Sequence, residues 1–411
     1  MKTLMSAIAR PLLVSMTAGL AMLLAACGGP AEPDASGSPQ SRLQSEELAF
    51  VDDDGPASAD GEATSSAEPQ PTTPTTAGSG LPAVTTIPVP APSAVDGSYT
   101  GILGALAPDQ RIVDPVAPAP ESEAGHLPLT GLPGQVPDRP AAVVKIDNGP
   151  AAIPQSGLNS ADIVIEEEVE GGVSRFAAIF HSTSAIVGPV RSGRTTDVGL
   201  VSGLGSPLLL YSGANDVTET ILRRQLHIQN RSHSTSSGFW RDEDRKAPSN
   251  LFSDTAPHWE SASGGPPPAQ FAYRADGVDP GGTASDGFSV NYPASTASWA
   301  WDGAQWIRSQ RGSTHDVVGG GTVTAVNVVV VEAERVGTGM YDSAGGPVPE
   351  FVFVGQGPVT VFTAGRRIEG VWTRPSLIDV ATLTTVDGLV IELTPGRTWI
   401  QLIEQDSGYL Q

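Results

Sequence analysis

Apolar residues fall along this 411-residue chain in three regimes. Positions 11–26 form one uncharged apolar run. From 28 to 125 apolar residues are scattered among Pro, Ser, Thr, Ala and Gly. From about 126 onward, short apolar runs recur between Gly, Pro and Asn turn signals. There, Ala141-Ala142-Val143-Val144-Lys145-Ile146 predicts a buried strand that stops at Asp147-Asn148-Gly149-Pro150. The runs 163–169 and 173–180 predict two further strands joined at Glu170-Gly171-Gly172 as a hairpin. Leu208-Leu209-Leu210-Tyr211 is another short run. Positions 216–226 have helical spacing, with Val217, Ile221, Leu222 and Gln225 near one face and Asp216 as the predicted cap. This mixture predicts an α/β or α+β N-terminal domain over 126–262.

A second break in pattern falls at 261–282, marked by Gly264-Gly265-Pro266-Pro267-Pro268. Beyond it nearly everything reads as strand and turn: 288–292, a hairpin end at Trp299-Ala300-Trp301-Asp302-Gly303, 326–332, 351–354, 359–362 and 389–393. These predict a β-rich C-terminal domain over 283–411, or a β-extension of the first domain. Trp299, Trp301 and Trp306 fit core packing better than a sugar-stacking platform.

Charge changes the reading of the first 125 residues. Positions 28–125 hold fifteen Asp or Glu and only Arg42 and Arg111 as cations. Such a stretch has too little apolar surface to offset its ordering entropy, so a disordered acidic stalk is expected over 27–125. The run before it spans only ~24 Å as a helix, short of the ~30 Å of a hydrocarbon core. With Lys2 and Arg10 in front and Leu24-Ala25-Ala26-Cys27 behind, it reads as a lipoprotein signal peptide over 1–26. Cys27 is then the lipid attachment site, and the membrane the first partner, with the protein held on the extracytoplasmic face. Several acyl chains are needed for stable tethering. Cys27 is the sole cysteine, which excludes an intramolecular disulfide and a free catalytic thiol. A formal net charge of -22 and an exported location disfavour nucleic acid.

Candidate chemistry concentrates between Lys145 and Asn250. Zinc-protease, P-loop and nucleophile-elbow motifs are missing, and no cofactor is implied. Polar residues gather in four segments: Lys145, Asp147, Asn148 and Gln155; Glu167, Glu170 and Arg175; Arg191 and Arg194; and Arg241, Arg245 and Asn250. Glutamates at 166–168 fit a half-exposed strand facing water. Arg191 and Arg194 fit either a guanidinium fork for carboxylate or phosphate on one helical face, or structural salt bridges to Glu167 or Asp197. His227 and His233 match metal-ligand spacing poorly.

Several of these segments also resemble one family. Leu127-Pro128-Leu129-Thr130-Gly131, Arg139 to Asn148, Pro154-Gln155-Ser156-Gly157, Glu170-Gly171-Gly172-Val173-Ser174-Arg175-Phe176, Val187-Gly188-Pro189-Val190-Arg191-Ser192, Arg245-Lys246-Ala247-Pro248 and Pro395-Gly396-Arg397-Thr398-Trp399 are similar, in order, to the YerB-like bacterial lipoproteins. The resemblance implies a lipid anchor, an α/β domain and a β-rich domain, and no activity. The family pattern has His-Asn where this chain has Ser249-Asn250, which argues against histidine-dependent catalysis there. The expectation from the residues is a module that binds an anionic or polar component of the envelope, such as a cell-wall polymer. The alternatives are an envelope hydrolase or transferase using Asp147, Glu167 or Glu170 as acid–base groups, and a scaffold for an envelope protein.

Overall fold

The computed structural model describes residues 98–342 and 345–411; Cys27 and most of the acidic stalk lie outside them. Eleven of the twelve strands of the main sheet position the site: β1 (Ala142–Asp147), β2 (Ile163–Glu168), β3 (Ser174–Phe180), β4 (Leu208–Tyr211), β5 (Gln229–Ser232), β6 (Asn327–Tyr341), β7 (Pro347–Val352), β8 (Gly355–Thr363), β9 (Arg366–Arg374), β10 (Thr382–Thr385) and β11 (Thr398–Glu404). Ten follow one path in a 12-stranded mixed sheet, in the order β10-β9-β8-β6-β11-β2-β3-β1-β4-β5, and β7 pairs with β6 off that path. The predicted hairpin is β2–β3, antiparallel from Ile163 opposite Ile179 to Glu168 opposite Ser174. β2 lies parallel to β11, so the sheet runs through both sequence-predicted regions.

Both faces of this sheet are covered, which is why its strands read as unbroken apolar runs. On one face Val143, Ile165, Ala177 and Leu209 pack under helices α1 (Thr196–Val201) and α2 (Asp216–Arg224). On the other, Val144, Phe176, Leu210 and Trp399 pack against a five-stranded sheet that carries Phe288, Trp299 and Trp306. Trp299 and Trp306 are core residues, with Trp301 packed against them. The cap of α2 is Asn215 rather than Asp216: its side chain accepts from the Thr218 amide at 2.8 Å. Residues 389–393 contribute only isolated bridges at Val390 and Leu393 instead of a strand.

The stalk predicted to reach residue 125 gives way earlier. From 98 the chain forms a strap across the helical face, with Tyr99, Leu103 and Leu106 buried in the core. Glu350 on β7 holds it: the Tyr99 hydroxyl donates to Oε2 at 2.7 Å, and the Ile102 and Leu103 amides donate to Oε1. Leu103 also presses on α1 where Gly199 leaves room; a Cβ there would stand 2.7 Å from Leu103 Cδ1. Composition concealed the strap because a few well-placed apolar residues suffice when a partner groove already exists.

Candidate functional site

The charged residues gather where β1 and β2 end and β3 begins. Register makes Asp147, Arg175 and Glu167 direct cross-strand neighbours on the helical face of the sheet. Lys145, two residues back on the same face, sits between Glu167 and Asp197, with its Nζ 2.7 Å from Asp197 Oδ1. All three side chains are wholly buried. Burial pulls the Lys145 ammonium down, but the two carboxylates outweigh it and hold it above its ordinary range. Burial pushes Glu167 up, against the pull of Lys145.

In front of this triad lies a cleft of roughly 390 Å³, lined by Glu170, Arg175, Arg191, Ser192, Arg194, Gly213, Ala214, Asn215, Asp342 and Val348. It opens outside the carboxyl ends of the parallel neighbours β1 and β4 and beside the first turn of α2, the usual crevice for ligands in α/β sheets. Its cations are unequally engaged. Arg194 donates to Glu170 Oε2 at 2.8 Å and to the Gly193 carbonyl at 2.7 Å. Arg175 bridges, giving 3.0 Å to Glu170 Oε1 and 3.3 Å to the Ser192 carbonyl. Arg191 is 28% exposed, and its charged partner is Asp147, with Nε 3.3 Å from Oδ2. Burial depresses all three guanidinium groups somewhat from their ordinary value. They remain cations at any physiological pH.

The sequence-predicted residues therefore divide. Glu170, Arg175, Arg191 and Arg194 meet in the cleft. Neither arginine of the 191–194 pair is helical: the segment is a loop leading into α1, and the salt bridges go to Asp147 and Glu170 rather than to Glu167 or Asp197. Lys145, Asp147 and Glu167 stand behind the cleft as its support. Asn148 and Gln155 turn to the opposite face, into a buried polar network. There Glu166 takes two bonds from Arg308 (2.8 and 3.0 Å), Gln310 donates to Asn148 Oδ1 at 2.8 Å, and His315 Nε2 lies 2.8 Å from Gln155 Oε1. The glutamates expected to face water are thus all buried, and Glu168 pairs with Arg335 at 3.1 Å.

Arg241 ends a strand of a separate three-stranded sheet, and Arg245 and Asn250 lie on the loop that leads to the next strand. Arg241 donates to Asn250 Oδ1 at 2.6 Å, and Arg245 clamps the Ala152 and Pro154 carbonyls at 3.1 and 2.6 Å. That clamp fixes the loop bearing Ser249, whose hydroxyl donates to Asp147 Oδ2 at 2.8 Å. The sequence named Asp197 only as an alternative salt-bridge partner and Ser249 only as a departure from the family pattern, and it left out Asn215 and Asp342. Only Asp197 gave a local signal: three residues after Arg194, it accepts from the Arg194 amide at 2.7 Å and opens α1.

Comparison with known proteins places this geometry in a family. Residues 129–265 match the model described as "Protein of unknown function (DUF3048) N-terminal domain", and residues 288–400 match its C-terminal domain. YerB of Bacillus subtilis (strain 168), a protein named as a lipoprotein, is 28% identical over 301 residues, covering 67% of this chain and 85% of YerB. The crystal structure of YerB superposes with a TM-score of 0.59 at 26% identity, covering 70% of this chain and 98% of that one. The strap, 98–128, precedes the matched domains.

Proposed function

Because this chain belongs to the YerB-like (DUF3048) family, we propose that it is a lipid-anchored extracytoplasmic protein that binds an anionic or polar envelope component in the cleft between β1, β4 and α2. The anchor rests on Cys27 in Leu24-Ala25-Ala26-Cys27, together with the lipoprotein name carried by YerB. Loss of acyl labelling and of membrane retention in Cys27→Ser is the expected result, and retention of both would remove the anchor from this reading.

The binding reading is carried by one observation: Arg175, Arg191 and Arg194 converge on one polar cleft, and Arg191 alone reaches it with little spent on protein partners. Guanidinium forks suit carboxylate and phosphate oxygens. Of the carboxylates that acid–base chemistry would use, Glu167 is sealed behind Lys145, Asp147 is shared by Arg191, Ser249 and the Gly149 amide, and Glu170 lines the cleft but is held as a carboxylate by Arg175 and Arg194. Isothermal titration of the full chain with soluble wall fragments should give a saturable isotherm that weakens about tenfold or more in Arg191→Gln, the loss of one charge-assisted contact. Unchanged binding in that variant would remove the site assignment.

A further inference from the structure

The polar groups of the cleft are unequally spent, and what remains selects a class of ligand. Its two carboxylates are engaged. Glu170 Oε2 accepts from Arg194 at 2.8 Å, and Oε1 takes Arg175 at 3.0 Å together with a second Arg194 contact. Asp342 Oδ1 accepts from the Gly346 amide at 2.7 Å. The spare capacity lies in donors. Asp147 holds Arg191 by its Nε, and neither terminal nitrogen of that guanidinium has a hydrogen-bond partner among the described residues. Backbone bonds fix the residue that carries this fork: the Arg191 amide donates to the Lys145 carbonyl at 2.8 Å, and the Ser212 amide donates to the Arg191 carbonyl at 3.0 Å. Asn215, at the exposed rim, spends Oδ1 on the Thr218 amide, which leaves its Nδ2 as a further donor. A cavity with donors to spare and no uncommitted carboxylate suits a ligand made of acceptors. Charge sets a limit on that ligand. Three guanidinium groups against two carboxylates leave the lining with one net positive charge. Asp216, exposed beside Asn215, opposes a second negative charge, as does the wider field of 34 acidic and 20 basic side chains in residues 98–411.

We infer that the cleft takes a single carboxylate at the end of an otherwise uncharged, amide-bearing ligand, such as an N-acylated peptide, with the carboxylate on the Arg191 fork and a carbonyl oxygen on Asn215 Nδ2. This rests on the anion-binding reading of the same cleft and deepens it. An ionised carboxylate presents two oxygens to a planar fork and brings one charge. A phosphate monoester brings close to two at neutral pH, and a phosphodiester polymer repeats its charge along the chain. The volume of roughly 390 Å³ falls near the lower end of the range for small-molecule sites, which suits two or three residues.

The test is a titration of the full chain with four probes at one ionic strength: N-acetyl-D-alanyl-D-alanine, its C-terminal amide, dimethyl phosphate and inorganic phosphate. The N-acetyl dipeptide should bind most tightly, and its amide should lose about tenfold or more, the cost of one charge-assisted contact. Arg191→Gln should erase the difference between acid and amide. Asn215→Asp keeps a capping oxygen for the Thr218 amide but replaces the spare donor by a negative charge. It should lose about tenfold or more in affinity for the acid with a melting temperature no lower than the parent's, so that a folding defect is told apart from a lost contact. Either phosphate binding more tightly than the N-acetyl dipeptide, with loss in Arg191→Gln, would overturn the carboxylate and leave the anion cleft standing. Equal affinity for acid and amide, or unchanged affinity in Asn215→Asp, would also overturn it. Wall fragments that bind through Arg191 while none of the four probes does would overturn the carboxylate alone. Binding of neither, or binding indifferent to Arg191, would remove both readings.

Discussion

Lys145 shows what single residues do in this fold. A wholly buried ammonium between two buried carboxylates adds little as an ion pair, because desolvation offsets most of the attraction. Removing it is another matter, since Glu167 and Asp197 would be left facing each other. Lys145→Met should therefore lose about 3–5 kcal/mol in denaturant unfolding. A loss within the range of an ordinary surface change would contradict the triad. His315 gives a pH dependence with a definite sign. Burial, then the neighbouring Arg308 and Arg311 charges, push it down to about 2. Its imidazole accepts from Arg308 at Nδ1 and faces Gln155 Oε1 with Nε2. The folded state thus refuses a proton that the unfolded chain accepts near pH 6.5. Stability from this group is complete above that pH and lost as pH falls toward 2, at up to about 1.4 kcal/mol per pH unit. Urea unfolding at pH 7 and pH 5 should show a shallower acid loss in His315→Gln than in the parent, and parallel losses would contradict the assignment. Neither residue's role was legible locally. The apolar run around Lys145 revealed the strand, but its partners lie 22 and 52 positions away, and Glu166 meets Arg308 from 142 positions away.

Among elements, the strands were the most legible and the strap the least. β1, the β2–β3 hairpin and β4 are apolar because two layers cover them, so composition and burial agree. The strap has the opposite character, a Pro- and Gly-rich segment whose order is imposed by Glu350 and by the groove beside α1 and α2. Two consequences follow. Tyr99→Phe removes one donor from a buried carboxylate and should cost about 1–3 kcal/mol by thermal or chemical melting. Starting the chain at 126 would strip Tyr99, Leu103 and Leu106 from the core, each worth about 1.5–3 kcal/mol of burial. That truncation should be markedly less stable than one starting at 98. Equal melting temperatures would mean the strap is an ornament of the fold. The cleft depends on the same element, because the Thr100 amide bonds to the Thr338 carbonyl at 2.8 Å on the strand that ends at Tyr341, just before Asp342.

For the whole molecule, the two sequence regions share one sheet, and this decides how it should unfold. β2 pairs in parallel with β11 from Ile163 opposite Thr398 to Glu167 opposite Leu402. The far face of β1–β3 packs in large part against strands that begin at Gly287. Glu166, Asn148 and Gln155 find their charged and polar partners at Arg308, Gln310 and His315 in that later segment. A chain ending at 265 would expose the β2 edge, the apolar side of β1 carrying Val144 and Ile146, and Glu166 stripped of its counter-charge. An unpaired central strand is an aggregation template, and an uncompensated buried carboxylate adds a penalty of several kcal/mol. The 98–265 fragment should accordingly be insoluble when produced alone and recover solubility when 266–411 is produced with it. Scanning calorimetry of the intact chain should give one cooperative transition, because no boundary exists across which half of the sheet can melt and leave the other half covered. Two resolved transitions, or a soluble and cooperatively folded 98–265 fragment, would show that the shared sheet is a contact between independent domains rather than a single folding unit.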